Sequence, residues 1–319
     1  MEFIRGVHNI QSKHKRCVLT IGNFDGVHLG HQTILQRVKK LASQYEAASC
    51  IMIFEPQPRE YFAADQAPRR VTRLRDKLFY LANYGIDYVL CLPFNERLQK
   101  LTAQEFCQTV LANGLDVQHL VVGDDFHFGC DRQGNFDYLL QFGNANQFIV
   151  EHTKTVLSEN SQRVSSSLVR DALTQGDIIK AESLLGHEVR ISGRVVHGKK
   201  LGRELGFPTA NVHLKGIASA LAGVFAIKLC FNGKEYEGVA NVGIKPTVGG
   251  HQPTLEVHLF EFSGSLYNQY VDVYFCFFIR PEKKMSGLPE LKKQIKNDKQ
   301  EAQCFFAKQT NAIQTNDCL

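Results

Sequence analysis

Cys17-Val18-Leu19-Thr20-Ile21-Gly22-Asn23-Phe24-Asp25-Gly26-Val27-His28-Leu29-Gly30-His31 is the stretch on which the fold turns. It starts as a short, largely β-branched apolar run, the pattern of a buried strand. Glycines at 22, 26 and 30 then permit a bend, and apolar residues recur at helical spacing over 33–42. A strand that bends through glycines into a helix is the first half of a βαβ unit. The same rhythm continues: strand-like runs at 50–54, 88–92, 120–122 and 148–150 alternate with helical patterns such as 74–84 and 103–112. Over residues 16–185 the alternation predicts an α/β fold, a doubly wound, Rossmann-like parallel sheet.

Past Gly186 the rhythm changes. Strand-like runs take over at 189–196, 224–231, 236–242, 254–260 and 270–279, and Asn232-Gly233 between two of them signals a type I′ hairpin, whose two central residues need positive φ. A single helical pattern follows at 288–306, with Pro289 tolerable in its first turn. These runs predict an all-β, antiparallel, Greek-key-like barrel closed by a terminal helix. The expected domains are 1–185 and 186–308, followed by a polar, irregular and flexible tail at 309–319.

Composition agrees with two globular domains. At roughly 150 residues per domain, 319 residues suffice for two cores, and 44% hydrophobic with 22% charged residues exclude fibrous and disordered classes. The longest nearly apolar run, 273–279, is far short of the roughly 20 residues that span a bilayer. With no apolar leader at the amino terminus, the expectation is a soluble, cytoplasmic protein without a membrane partner. Nine cysteines with no CxxC pair read as buried thiols, neither a disulfide framework nor a zinc site. The net charge of +5 is mild, and Lys292, Lys293, Lys296 and Lys299 share a helix with apolar Leu288, Leu291 and Ile295, so they read as a solvated face and not as a nucleic-acid footprint.

Residues 22–31 lie where the first strand turns into the first helix, a place that favours anions, because helix-start amides lack partners and the helix dipole is positive there. His28 and His31, three apart, can aim donors the same way, although the spacing alone also suits metal ligands or polar surface. Ser165, Ser166 and Ser167 followed by Arg170 read either as a plain helix cap with an exposed arginine or as a second anion site. Asp177, after Gly176, can simply cap a helix starting at Ile178.

The decapeptide 22–31 resembles the GxFDGxHxGH signature of the nucleotidyltransferase superfamily, in the form carried by bacterial bifunctional riboflavin kinase/FAD synthetases. Further blocks of that family occur in order at 54–58, 70–77, 123–129 and 164–170. The resemblance implies that ATP lies across the switch point of the sheet, its phosphates held by His28, His31, Gly22, Asn23, Phe24, Gly30, Ser165, Ser166, Ser167 and Arg170. It further implies that FMN attacks the α-phosphorus and expels pyrophosphate, with Asp125 and Asp177, like Asn23, near the flavin and the reacting phosphates.

The second half carries its own resemblance. Residues 198–211 read Gly-Lys-Lys-Leu-Gly-Arg-Glu-Leu-Gly-Phe-Pro-Thr-Ala-Asn and resemble the riboflavin kinase loop that ends in Pro-Thr-Ala-Asn. No GxxxxGK[ST] loop occurs in the chain, so a kinase here holds ATP differently. The resemblance implies that Gly198, Gly202 and Arg203 cradle the phosphates, and that the Thr209 hydroxyl and Asn211 amide oxygen bind Mg²⁺. Residues 254–260 alternate with period two, placing Leu255, Val257 and Leu259 on one face and Glu256 with His258 on the other. An outward strand glutamate is ordinarily solvated; the match to the family makes Glu256 the base for the riboflavin 5′-hydroxyl. Asn241 is either structural or flavin-adjacent. Where many relatives read Asp-Leu-Tyr-Gly, this chain has Ser265-Leu266-Tyr267-Asn268, and asparagine can supply the left-handed conformation.

The expected activity is therefore two MgATP-dependent steps, riboflavin to FMN and FMN to FAD. The rivals are a monofunctional FMN adenylyltransferase with a flavin-binding barrel, and an OB-like nucleic-acid binder. The second lacks aromatics interleaved with its lysines. Oligomeric state is not legible.

Overall fold

Val18–Ile21 (β2) is buried at every position, as a continuous apolar run requires of a strand covered on both faces. The computed structural model describes residues 1–63, 66–123, 126–153, 163–198, 206–214, 217–247 and 250–316. The chain forms two compact units, Met1–Pro68 with Lys77–Ser165, and Arg69–Asp76 with Ser166–Leu319.

The first unit is built on a parallel sheet. Strands β1 (Glu2–Arg5), β2, β3 (Ser49–Glu55), β4 (Tyr88–Pro93), β5 (His119–Gly123) and β6 (Ile149–Thr153) lie in the order β1-β4-β3-β2-β5-β6. The chain runs outward from β2 through β3 to β4, then returns to the far side of β2 as β5. The switch point of this doubly wound sheet is therefore between β2 and β5, where a crevice forms beyond the carboxyl ends of the strands. Helices in this part of the sequence are α1 (Leu29–Gln44), α2 (Pro58–Phe62), α3 (Leu74–Asn83), α4 (Glu96–Gln99), α5 (Ala103–Phe106, continued by a π turn over Cys107–Ala112) and α6 (Phe136–Ala145). Val38 and Leu41 of α1 pack on Val18 and Val121, while Phe106, Val110 and Leu111 pack with Leu19, Met52 and Leu120. Alternate strand residues thus face helices on opposite sides of the sheet.

The second unit begins with α7 (Ser166–Thr174) and α8 (Ile178–Leu185), the latter ended by Gly186 at φ 69°. Strands β7 (Arg190–Val196), β8 (Ala210–Val212), β9 (Gly223–Phe231), β10 (Lys234–Thr247), β11 (Gly250–Leu259) and β12 (Tyr270–Arg280) close into an antiparallel barrel in the order β10-β11-β8-β7-β12-β9. Asn232 and Gly233 join β9 to β10 at φ 50° and 73°, the positive values the dipeptide predicts. Phe225 and Phe275, both essentially unexposed, meet edge to face at 5.3 Å. The terminal helix α9 (Leu288–Asn316) lays Ala302 and Phe306 on Val239 and Phe260, covering part of the barrel wall. Arg280 holds α9 by a two-pronged pair with Asp298, both contacts at 2.8 Å. Lys292, Lys293 and Lys296 are exposed, and Lys299 lies 5.4 Å from the Phe260 ring centre.

The structure adds to and corrects the sequence reading. β1 escapes detection because it is a four-residue edge strand of mixed polarity, and β8 because it has only three residues. α9 runs to Asn316, through most of the expected tail; that stretch contains neither Gly nor Pro to stop it. Residues 69–76 cluster with the second unit. Arg70 bridges Ser219 through backbone bonds of 3.2 Å (to Ala218) and 2.9 Å (from Ala220), and buried Asp76 accepts from the Ser192 amide and hydroxyl at 3.0 and 2.7 Å. Arg190 is 3.7 Å from the same carboxylate and 3.0 Å from Asp272, so this buried acid has cationic and hydrogen-bonding partners.

Candidate active sites

In the first unit the candidate site is the loop between β2 and α1, at the switch point. Phe24 (φ 47°), Gly26 (φ 90°) and Val27 (φ 44°) take left-handed backbone conformations within four residues. Gly26 accommodates this freely; Phe24 and Val27 are held there by burial, at 1% and 0% exposure. Phe24, expected among the phosphate contacts, turns its ring inward against His31 at 4.8 Å and its carbonyl accepts from the Val27 amide at 3.3 Å, so its own amide is what it can offer a ligand. The Gln32 amide donates to the Val27 carbonyl at 2.9 Å and fastens the end of the loop.

His28 is the N-cap of α1, its Nδ1 accepting from the His31 amide at 3.3 Å. An accepting Nδ1 leaves the proton on Nε2. The two imidazoles stack at 3.7 Å and 20°. A Cβ at Gly30 would stand 3.2 Å from the His28 ring and from the Val164 carbonyl, so glycine permits this closure. The same contact brings the residue before Ser165 against the start of α1. His31 Nδ1 is buried with no hydrogen-bond partner. Burial, then His28, then Lys77 hold the His31 imidazole well below its ordinary range, so it is neutral at pH 7.

Lys77 is the residue that sequence reasoning missed. Its side chain is fully buried and its Nζ donates to the Asn23 carbonyl at 2.5 Å. The available signal was its place on the buried stripe of α3 with Tyr80 and Leu81, where a lysine needs a polar partner. Also missed is an aromatic cluster at the same end of the sheet. Phe54 and Phe94 meet at 6.0 Å, with Tyr61 and Phe62 at 5.4 and 5.6 Å from Phe94. Tyr61 is 38% and Phe62 61% exposed, an apolar surface open to a flat ligand.

Ser165 closes the first unit, whereas Ser166, Ser167 and Arg170 lie on α7 in the second. Arg170 donates to the Arg69 carbonyl at 2.6 Å. Asp177 caps α8, accepting from the Lys180 amide at 3.0 Å, which is the plain helix-cap arrangement. Asp125, Gly202 and Arg203 lie outside the described residues.

In the second unit, register builds a polar row. Glu256 on β11 stands opposite Asn211 on β8 and Asn241 on β10, so the three share one face of three adjacent strands. The neighbours Leu255 and Val257 are 1% exposed and turn to the inner face. Gly198 lets the backbone approach the Asn211 amide, because a Cβ there would be 2.3 Å from Nδ2. Asn241 Nδ2 donates to Glu282 at 3.1 Å, while its Oδ1 is buried without a partner. Glu282 is a further residue unmarked in the sequence. Next along β11, His258 is buried and its Nδ1 is 2.9 Å from the Pro208 carbonyl. Asn268, in the departing loop, adopts φ 64°, the left-handed conformation expected of it.

His119 and His258, like His31, are shifted downward chiefly by burial. An imidazole depressed in the folded state contributes stability that is present above its unfolded pKa of about 6.5 and is lost as pH falls below it. The free protein is expected to lose urea stability on acidification below about pH 6.5, and less so in His31→Ala. Equal losses in both proteins would remove His31 from the account.

Comparisons with known proteins agree with this layout. A family model described as FAD synthetase matches residues 10–168, and one described as riboflavin kinase matches residues 185–306. Bifunctional riboflavin kinase/FMN adenylyltransferases from Pseudomonas fluorescens and Escherichia coli (strain K12) are each 48% identical over 308 residues, covering 96% of this chain and 98% of theirs. The relative from Haemophilus influenzae is 45% identical over 96% of this chain and 99% of its own. Among solved structures, one titled a macrolide-efflux protein from Streptococcus pneumoniae has a TM-score of 0.77 at 27% identity, covering 93% of this chain and 97% of that one. Among the described residues no helix is long and apolar enough to cross a membrane.

Proposed function

The chain belongs to the bifunctional riboflavin kinase/FMN adenylyltransferase family, making FMN from riboflavin and FAD from FMN, and from that premise we propose how its residues divide the two reactions. The observation that carries the division is that each unit has its own polar cluster, the stacked histidines in one and the Asn211–Glu256–Asn241 row in the other. The functional boundary falls near Gly186, with adenylyl transfer assigned to residues 1–185 and phosphorylation to 186–308.

In adenylyl transfer, an FMN phosphate oxygen attacks the α-phosphorus of ATP as the bond to pyrophosphate breaks. No covalent enzyme intermediate is required, so the protein aligns the reactants and stabilises charge. The loop 22–31 and the start of α1 supply amides from Asn23, Phe24 and Gly30 for the phosphates, while Gly22, whose own amide donates to the Met52 carbonyl at 3.1 Å, turns the chain toward them. His28 Nε2–H and neutral His31 donate to the phosphoryl oxygens, and Ser165 of the same unit offers a hydroxyl. The family resemblance assigns Ser166, Ser167 and Arg170 of α7 to the phosphates as well. The buried Lys77 ammonium adds positive charge behind the loop. The aromatic surface of Phe54, Tyr61, Phe62 and Phe94 offers a stacking face to the isoalloxazine ring. Asp125 and Asp177 remain candidates near the flavin, Asp177 with its carboxylate already capping α8.

In phosphorylation, Glu256 takes the riboflavin 5′-hydroxyl proton while that oxygen attacks the γ-phosphorus and ADP leaves. The donor set suits Mg²⁺. Thr209 and Asn211 offer hard oxygens, and Asn241 brings a buried, unpartnered amide oxygen to the same row. Among the described residues no three His, Cys, Asp or Glu side chains form a metal cage. When bound, Mg²⁺ neutralises triphosphate charge. Thr209 and Asn211 orient the phosphates toward Glu256, and Gly198 lies beside Asn211; the family resemblance assigns Gly202 and Arg203 to the phosphates as well.

Incubation with riboflavin, ATP and Mg²⁺, resolved by chromatography, is expected to yield FMN first and then FAD, and omission of the metal is expected to silence both steps. Conversion of supplied FMN to FAD with no FMN formed from riboflavin would instead favour the monofunctional reading.

A further inference from the structure

His258 is a buried polar residue of the barrel to which the two reactions above assign no role. It lies two residues beyond Glu256 on β11 and points to the same side of the sheet. Its ring is 8% exposed, walled edge to face by Phe207 at 5.5 Å and by Phe260 at 6.1 Å. Its Nδ1 is 2.9 Å from the Pro208 carbonyl. A carbonyl only accepts, so Nδ1 carries the proton and His258 is the donor. Burial holds the imidazole below its ordinary pKa, so the donor is present in the neutral ring.

The position of this bond in the ladder gives it a purpose. β8 pairs with β11 from Leu255 opposite Val212, through Glu256 opposite Asn211, to Val257 opposite Ala210. The next rung would set His258 opposite Thr209, but the backbone ladder ends before it. His258 bonds through its backbone side of the sheet to β10, where it faces Val239, and reaches across with its side chain to the segment entering β8. That segment is Phe207-Pro208-Thr209, preceded by Gly206 at φ 86°, and Thr209 is the hydroxyl assigned above to the metal and the phosphates.

We infer that His258 is a positioning residue of the kinase reaction, whose Nδ1–H replaces the missing ladder rung and fixes Thr209 beside Glu256 and Asn211. The inference rests on the kinase reading of the barrel. A donor that holds a phosphate-bearing segment affects ATP more than riboflavin, and it has no part in adenylyl transfer.

The test uses the full chain. His258→Phe keeps a flat ring and removes the donor; His258→Asn keeps a donor close to the Nδ1 position. His258→Phe is expected to raise KM for ATP in FMN formation by about tenfold, the size of one lost hydrogen bond, with KM for riboflavin and the rate of FAD formation from supplied FMN unchanged. His258→Asn is expected to recover most of that loss. Wild-type KM in His258→Phe, or equal impairment in both variants, would overturn the inference. Independently of turnover, ¹⁵N-histidine NMR is expected to show a His258 Nδ1–H protected from exchange; exchange as fast as an exposed imidazole would overturn it even if His258→Phe does not fold. Glu256→Gln separates the two levels. If that change leaves FMN formation intact, the assignment of the Asn211–Glu256–Asn241 row as the kinase site fails, whereas loss in Glu256→Gln with no change in His258→Phe removes only the role of His258.

Discussion

Glu256→Gln is expected to lower FMN formation from riboflavin by roughly 10²- to 10⁴-fold, the range over which a positioned general base contributes, while FAD formation from supplied FMN continues at the parental rate. Glutamine keeps the shape and hydrogen-bonding capacity of the side chain and removes only its ability to accept the hydroxyl proton. The fold has no reason to change, since the strand position is fixed by pairing with Asn211 on one side and Asn241 on the other, and the core is carried by Leu255 and Val257 on the inner face. KM for riboflavin should move little, because the lost interaction belongs to the transition state. Following both flavins by chromatography decides the matter: if the two products decay in parallel, Glu256 supports the whole molecule and is not the base of one reaction.

His31→Ala is expected to do the converse. Adenylylation should fall by roughly 10²- to 10³-fold, the usual cost of losing one preorganised donor to developing charge, while riboflavin is still phosphorylated. His31 is neutral and half-buried, stacked on His28 and tilted against Phe24, with a buried ring nitrogen, Nδ1, lacking a partner. Such a group is rigid before substrate arrives, and rigidity is what makes a donor effective in the transition state. Alanine also leaves space beneath His28, so the rate is to be compared with an unfolding curve of the same variant. Equal loss of both activities would mean that the substitution loosens the protein and that His31 holds no reacting group.

Much of the fold was legible because the parallel strands are continuous apolar runs. Val18–Ile21 and the buried part of Ser49–Glu55 admit no other economical reading, and Asn232-Gly233 fixed one hairpin through its demand for positive φ. The histidine loop was legible through its glycines, and Glu256 through period-two alternation. What escaped depends on contacts between residues far apart in sequence. Nothing local indicates that Asp76 will accept from Ser192, or that the segment 69–76 will pack with the second unit. Lys77 looks like an ordinary surface lysine until its helix face is buried, and Asn211, Glu256 and Asn241 become one row only when the barrel closes. The π turn after α5 preserves helical spacing well enough that the pattern reads as one helix.

The polar row also restricts how this chain can change length over evolutionary time. Because side chains alternate strictly along a strand, inserting or deleting one residue within β11 upstream of Glu256 would turn Leu255 or Val257 outward and bury the carboxylate instead. A closed barrel has no free edge along which a neighbour could slip to compensate. Length variation among related chains should therefore collect in the connections between strands, leaving the spacing within β8, β10 and β11 untouched.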